Sequence, residues 1–61
     1  MEVGDKIRVS NIKHERGMKD FKRYYRNRIG FIADISGVKL KVEFVGNLMS
    51  NWFYEEELTK I

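Results

Sequence analysis

The sequence predicts an all-β fold, a small antiparallel barrel of five strands, and three observations carry that expectation. Short segments alternate apolar and polar residues with period two, the signature of half-buried strands. Turn signals follow one another closely from Gly30 onward, with no room for a long helix between them. The chain has 61 residues and no cysteine, so no disulfide or Cys-type zinc site can staple it. A chain of this length buries only about 60% of its unfolded surface, and its stability has to come from a compact aliphatic and aromatic core.

The elements follow in order. "VGDKIRVS" is a turn and then a strand, Ile7 and Val9 alternating with Lys6, Arg8 and Ser10. "RIGFIADIS" is the second strand, interrupted by Gly30, a position that marks a bulge, a sharp bend or a close backbone approach. Ser36-Gly37 supplies a tight turn, because glycine tolerates the positive φ that short hairpins need. In "VKLKVEFV", Val38, Leu40, Val42 and Phe44 share one face, and Lys39, Lys41 and Glu43 the other. Gly46 and Asn47 open the next turn, "MSNWFY" is the fourth strand, and "LTKI" is a short closing strand after the acidic "EEE". The expected core is Ile7, Val9, Ile32, Ile35, Leu40, Val42, Phe44, Phe53, Leu58 and Ile61. Residues 1–61 are read as one domain, without repeats, low-complexity stretches or linkers.

The stretch "KHERGMKDFKRYYRNR" breaks this rhythm. Positions 13 to 28 carry seven Lys and Arg against Glu15 and Asp20, a local balance of +5. The remainder carries five basic and seven acidic residues, a balance of −2. Positive potential is therefore concentrated on one segment, with Glu55, Glu56 and Glu57 as a small acidic patch elsewhere. A segment this long without strand patterning is uncommon in a compact domain and often functional. Its shape is open between an irregular loop and a short helix: Met18, Phe21, Tyr24 and Tyr25 fall at helical spacing, with Gly17 at the start. Phe21 is the residue expected to face the core, with Tyr24 or Tyr25 half-buried.

The order "VGDKIRV", long loop, "RIGFIADI", "SG", "KLKVEFV", "WFYEEELTKI" resembles the SH3-like barrels. The resemblance implies a five-stranded SH3-like barrel whose long first loop is the basic segment. It also implies a 3-10 turn at Glu55 to Glu57 before the last strand. "GDKIRV" with "IGFIADI" looks like the KOW-type core of ribosomal and transcription-factor modules. "KVEFV" followed by "EEELTKI" is similar to electron-transport accessory barrels, such as the variable chain of ferredoxin–thioredoxin reductase and the small accessory barrel of photosystem I. Small prophage-encoded SH3-like proteins have a similar ending. By the same resemblance Phe53 points inward with Leu58 and Ile61, and strand alternation turns Trp52 and Tyr54 to the opposite face.

These features exclude some functions and favour others. One histidine, His14, no cysteine, and adjacent glutamates whose side chains fan outward as a solvated turn offer no catalytic constellation, so no enzyme is expected. No metal and no cofactor are expected either, since His14 alone lacks the ligand partners a zinc site needs. Lys13, Arg16, Lys19, Lys22, Arg23, Arg26 and Arg28 are candidates to neutralise phosphates, with Tyr24, Tyr25 or Phe21 to stack on bases. Trp52 and Tyr54 form a candidate contact platform, as large outward aromatics do; the alternative is that Trp52 is core and Phe53 exposed, because a chain of 61 residues needs every large apolar group it has. The leading reading is a small nucleic-acid-binding module, for single strands or RNA because no recognition helix is evident. The alternative is an accessory subunit that docks on an acidic protein partner through the charged loop and the Trp52/Tyr54 face. A proline-rich-peptide SH3 domain ranks last, because the long loop lacks the acidic residues that would pair a ligand's arginine. No apolar run approaches the ~18 residues of a membrane span. The chain is therefore expected to be soluble, cytoplasmic, and monomeric when isolated.

Overall fold

The computed structural model describes residues 1–13 and 20–61 and arranges them as an all-β protein with one short helix. Strands β1 (Lys6–Val9), β2 (Ile29–Ser36), β3 (Lys39–Phe44), β4 (Asn51–Tyr54) and β5 (Leu58–Lys60) all pair antiparallel, in the order β4-β3-β2-β1-β5. Helix α1 (Phe21–Tyr25) lies in the long connection after β1, and a 3-10 turn (Glu55–Glu57) precedes β5. The first strand thus sits between the second and the last, an arrangement compatible with a small barrel. Of the basic segment, His14, Glu15, Arg16, Gly17, Met18 and Lys19 lie outside the described residues.

Each element has a local cause. Period-two alternation puts Ile7, Val9, Leu40, Val42 and Phe53 on the inner side, where all are buried with Ile32 and Leu58. Gly37, at φ +59°, turns the β2–β3 hairpin, the two residues between the strands being Gly37 and Val38. Gly30 serves a close approach: a Cβ there would lie 2.5 Å from the Glu43 carbonyl oxygen and 2.7 Å from a Val42 methyl. The bulge falls slightly later, between Ile32 and Asp34.

For the described part of the basic segment, the structure answers the open question with a short helix. Five residues are too few to stand alone in water, so α1 is held by what it buries. Phe21 and Tyr25, one helical turn apart, are both inside. Their rings meet Phe53 at centroid distances of 5.7 and 5.5 Å, and Tyr25 meets Phe44 at 5.2 Å. The Tyr25 hydroxyl donates to the Met49 carbonyl at 3.1 Å, which anchors the helix to the segment leading into β4. Asp20 and Asn27, both at φ 62°, bracket the helix in the left-handed conformation that short Asx side chains tolerate.

Four expectations need correction. Ile61 is 59% exposed: Leu58 lies opposite Val9 on the inner side, and three steps of alternation carry Ile61 to the outer side. Ile35 is 40% exposed. It remains opposite Leu40, beyond the bulge, but sits at the turn end of the hairpin where little covers it. Phe44 is only partly buried, packed against the core, while Val38, outside the expected core, lies in that turn and is exposed.

The fourth correction is the acidic turn. Glu55 and Glu56 are exposed, but Glu57 is fully buried. Its carboxylate accepts the Lys13 backbone N–H at 2.8 Å through one oxygen and the Tyr54 N–H at 2.9 Å through the other. Its carbonyl accepts the N–H groups of Ser10 and Asn11 at 2.9 and 3.2 Å. A buried carboxylate is tolerable only when hydrogen-bonded, and Glu57 uses its bonds to clasp the start of the basic segment to the end of β4.

Candidate nucleic-acid interface

The outer face of the sheet is built by the same alternation that builds the core. Across β3 and β4, Lys41 lies opposite Trp52 and Lys39 opposite Tyr54, while Leu40 faces Phe53 on the inside. Trp52 and Tyr54 are half-buried, each with a surface left to contact solvent. The Lys39 ammonium lies 5.8 Å from the centre of the Tyr54 ring, a cation–π distance. Further across the sheet, Phe31 pairs with Glu43 on one side and Lys6 on the other, and Ile29 pairs with Arg8. Phe31 and Ile29 are exposed at 44% and 37%. The outer face therefore interleaves Lys6, Arg8, Lys39 and Lys41 with Phe31, Trp52 and Tyr54, with Glu43 and Asp34 as its acidic members.

Of these, sequence reasoning picks out only Trp52 and Tyr54 as site residues. It misses Lys6, Arg8, Phe31, Lys39 and Lys41, although the signal is present. Every strand residue that alternation excludes from the core has to lie on this face.

The basic segment presents a second surface. Phe21 and Tyr25, two of the three candidate stacking rings, are inside the protein and unavailable to a base. Tyr24 remains, 51% exposed. Helical geometry divides the cations around it. Lys22 and Arg26 border a cavity of about 250 Å³ with Val9, Ser10, Asn11 and Ile12. Arg23 and Arg28 border another, of about 360 Å³, with Asp20 and Tyr24. The Arg28 Nε donates to the Tyr24 carbonyl at 3.1 Å, which fixes that guanidinium beside the ring's own residue. On its other side Tyr24 borders a third cavity of about 320 Å³, with Tyr25 and residues 47–51.

The predicted site residues thus fall into separate groups. Trp52 and Tyr54 sit together on the outer face, Arg23, Tyr24 and Arg28 sit together beside α1, and Lys22 and Arg26 form their own pair. Lys13 is exposed, its backbone held by Glu57. Arg16 and Lys19 lie outside the described residues. The two aromatic groups approach each other at the start of β4, where Asn51 borders the Tyr24 cavity and Trp52 follows on the opposite side of the strand.

Among the described residues no three His, Cys, Asp or Glu side chains cluster as metal ligands would, and no helix is long and apolar enough to cross a membrane. Comparison with protein-family models, with curated proteins and with solved structures found no match to this chain.

Proposed function

We propose that this chain is a small non-catalytic binding module of SH3-like, KOW-related type that holds single-stranded nucleic acid or RNA. The observation that carries the reading is the cross-strand pairing of Lys41 with Trp52 and of Lys39 with Tyr54. A flexible strand offers alternating phosphates and base faces, and cations beside aromatic rings meet both at once. Lys6, Arg8 and Phe31 extend the same chemistry across the sheet, and the cations of residues 22–28 add a second group beside Tyr24, which borders the start of β4. The module works by charge and stacking and requires no cofactor.

Trp52 is the only tryptophan, so its fluorescence reports directly on the proposed face. Titration with single-stranded RNA or DNA should quench it, and the logarithm of the affinity should fall linearly with log salt, with a slope of about −0.7 per phosphate neutralised. Replacing Lys22, Arg23 and Arg26 with Ser should lower affinity and make that slope shallower. Trp52→Ala, followed by anisotropy of a labelled strand, should lower affinity and leave the slope unchanged, because stacking releases no counterions. Failure of RNA, single-stranded DNA and duplex DNA alike to bind at low salt would sink the proposal.

A second reading has its own support. Ile29 and Phe31 expose apolar surface on the outer face, as a protein-docking patch does. An accessory subunit of this kind would dock on an acidic partner and buttress it. Recovery of one stoichiometric protein from native extract, unaffected by nuclease, together with no strand binding, would favour it.

A further inference from the structure

Tyr24 stands between two cavities of different chemistry. On one side are Arg23 and Arg28, on the other Asn47, Met49 and Asn51. Among the described residues, the two spaces have Tyr24 alone in common. The first supplies two guanidinium groups, with Asp20 at its border, and one of them is anchored through Nε to the Tyr24 carbonyl. An Arg held by one nitrogen keeps its remaining donors free to fork onto a phosphate.

The second cavity joins an aromatic wall to an apolar floor and two side-chain amides. Its volume of about 320 Å³ falls at the small end of the ~300–1,000 Å³ typical of small-molecule sites. The Asn51 side-chain oxygen already accepts the Trp52 N–H at 2.8 Å, which leaves its NH₂ as the group to offer a ligand. The wall does not need to form on binding. The Tyr25 hydroxyl holds Met49, and the neighbouring Tyr25 ring, 6.5 Å from that of Tyr24 between centroids, is locked in the core.

From this juxtaposition we infer that Tyr24 is the centre of a subsite for one nucleotide, with the phosphate on Arg23 and Arg28 and the base in the cavity of Asn47, Met49 and Asn51. Phosphate and base are joined through a sugar, so a ligand with its base against the Tyr24 ring carries its phosphate round to the arginines. Asn51 offers the base edge a donor and Asn47 both a donor and an acceptor, and Met49 contributes a polarisable contact to the ring. The inference rests on the nucleic-acid reading but places a defined site away from the outer sheet face.

The test uses the four nucleoside 5′-monophosphates as probes, followed by amide chemical shifts of the whole chain. Each is expected to move the amides around Arg23, Tyr24 and Arg28 together with those of residues 47–51. Inorganic phosphate should move only the first group, and uridine only the second. Tyr24→Ala should weaken monophosphate binding about tenfold or more, the scale of one stacked base. Arg23→Gln should weaken the monophosphates and leave uridine unchanged. Lys60→Ser removes an equal charge from β5, at a residue that borders neither space, and should leave both unchanged. The subsite is overturned if the monophosphates move neither group, if Tyr24→Ala binds them like the parent, or if Lys60→Ser matches the loss in Arg23→Gln. Oligonucleotide quenching of Trp52 without monophosphate shifts would remove the subsite and keep the module. Monophosphate shifts without oligonucleotide binding would keep the subsite and remove the module.

Discussion

Helix α1 and strand β4 do the same task by different geometry. Each sends aromatic rings into the core and leaves others at the surface: Phe21 and Tyr25 inside with Tyr24 out, Phe53 inside with Trp52 and Tyr54 turned away. In β4 the outward rings are fixed by the sheet, because each sits opposite a named residue of β3 through a ladder of backbone hydrogen bonds. In α1 the outward side chains are placed through the two buried rings and the Tyr25 hydroxyl bond. The β4 surface therefore belongs to the sheet itself, whereas the α1 surface depends on the core contacts of one helical turn.

The largest expected effects test that dependence. Phe21→Ala and Phe53→Ala should each cost about 3–5 kcal/mol, the range for a buried phenylalanine. A domain of this size holds roughly 3–9 kcal/mol in total at the usual 0.05–0.15 per residue, so both variants should be largely unfolded in a urea titration. A Phe21→Ala protein that melts like the parent would break the comparison by showing α1 to be dispensable.

Glu57→Ala comes next. It leaves the N–H groups of Lys13 and Tyr54 without their acceptor, one at the entrance to the basic segment and one at the end of β4. At about 1–3 kcal/mol for a buried unsatisfied group, and with water able to reach the exposed Lys13, a loss of about 1–3 kcal/mol in denaturant unfolding is expected. Glu56→Ala, at an exposed position, should change little. Equal effects from the two would show that Glu57 is no clasp.

Tyr25→Phe should cost about 1 kcal/mol, the net value of one hydrogen bond, since the ring contacts remain and only the bond to Met49 is lost. Amide exchange should quicken at residues 47–51 more than in β4. The smallest effect belongs to Tyr24→Ala, within about 0.5 kcal/mol in a thermal melt, because its ring is half exposed and the neighbouring Tyr25 ring stays held by Phe44 and Phe53. A larger loss would mean that Tyr24 supports the helix and does not merely ride on it.

Strands and inner face are legible in the sequence because alternation is a local rule. It runs into difficulty where the rule is broken or stretched. Leu58 and Ile61 are three apart and cannot share one face of a regular strand, so expecting both in the core contradicts the pattern's own parity. Ile32 and Ile35 are also three apart, and only the bulge lets both face inward, a feature nothing in "FIADIS" marks. Glu57 is hidden by its neighbours. Three consecutive glutamates look alike in sequence, and only the 3-10 turn brings the third beneath the chain. Phe21 and Tyr25 carry the helical signal in their i, i+4 spacing. Phe21 is buried as expected, but Tyr25 is buried fully as well, and the spacing pattern alone leaves open which of the two tyrosines the core will claim.

The Glu57 clasp also sets an order of events during synthesis. Its carboxylate bonds to residue 13 across a sequence separation of 44, and β5, which follows it, zips onto β1. While the first fifty or so residues are emerging from the ribosome, β2, β3 and α1 can begin to associate. The N–H of Lys13 has no acid to meet, and one edge of β1 stays open. Contacts of such long range are closed late and slowly. The nascent chain therefore holds its most positive segment unclasped until Glu57 and β5 have been made, and the fold is locked by a residue that arrives 44 positions after the one it holds.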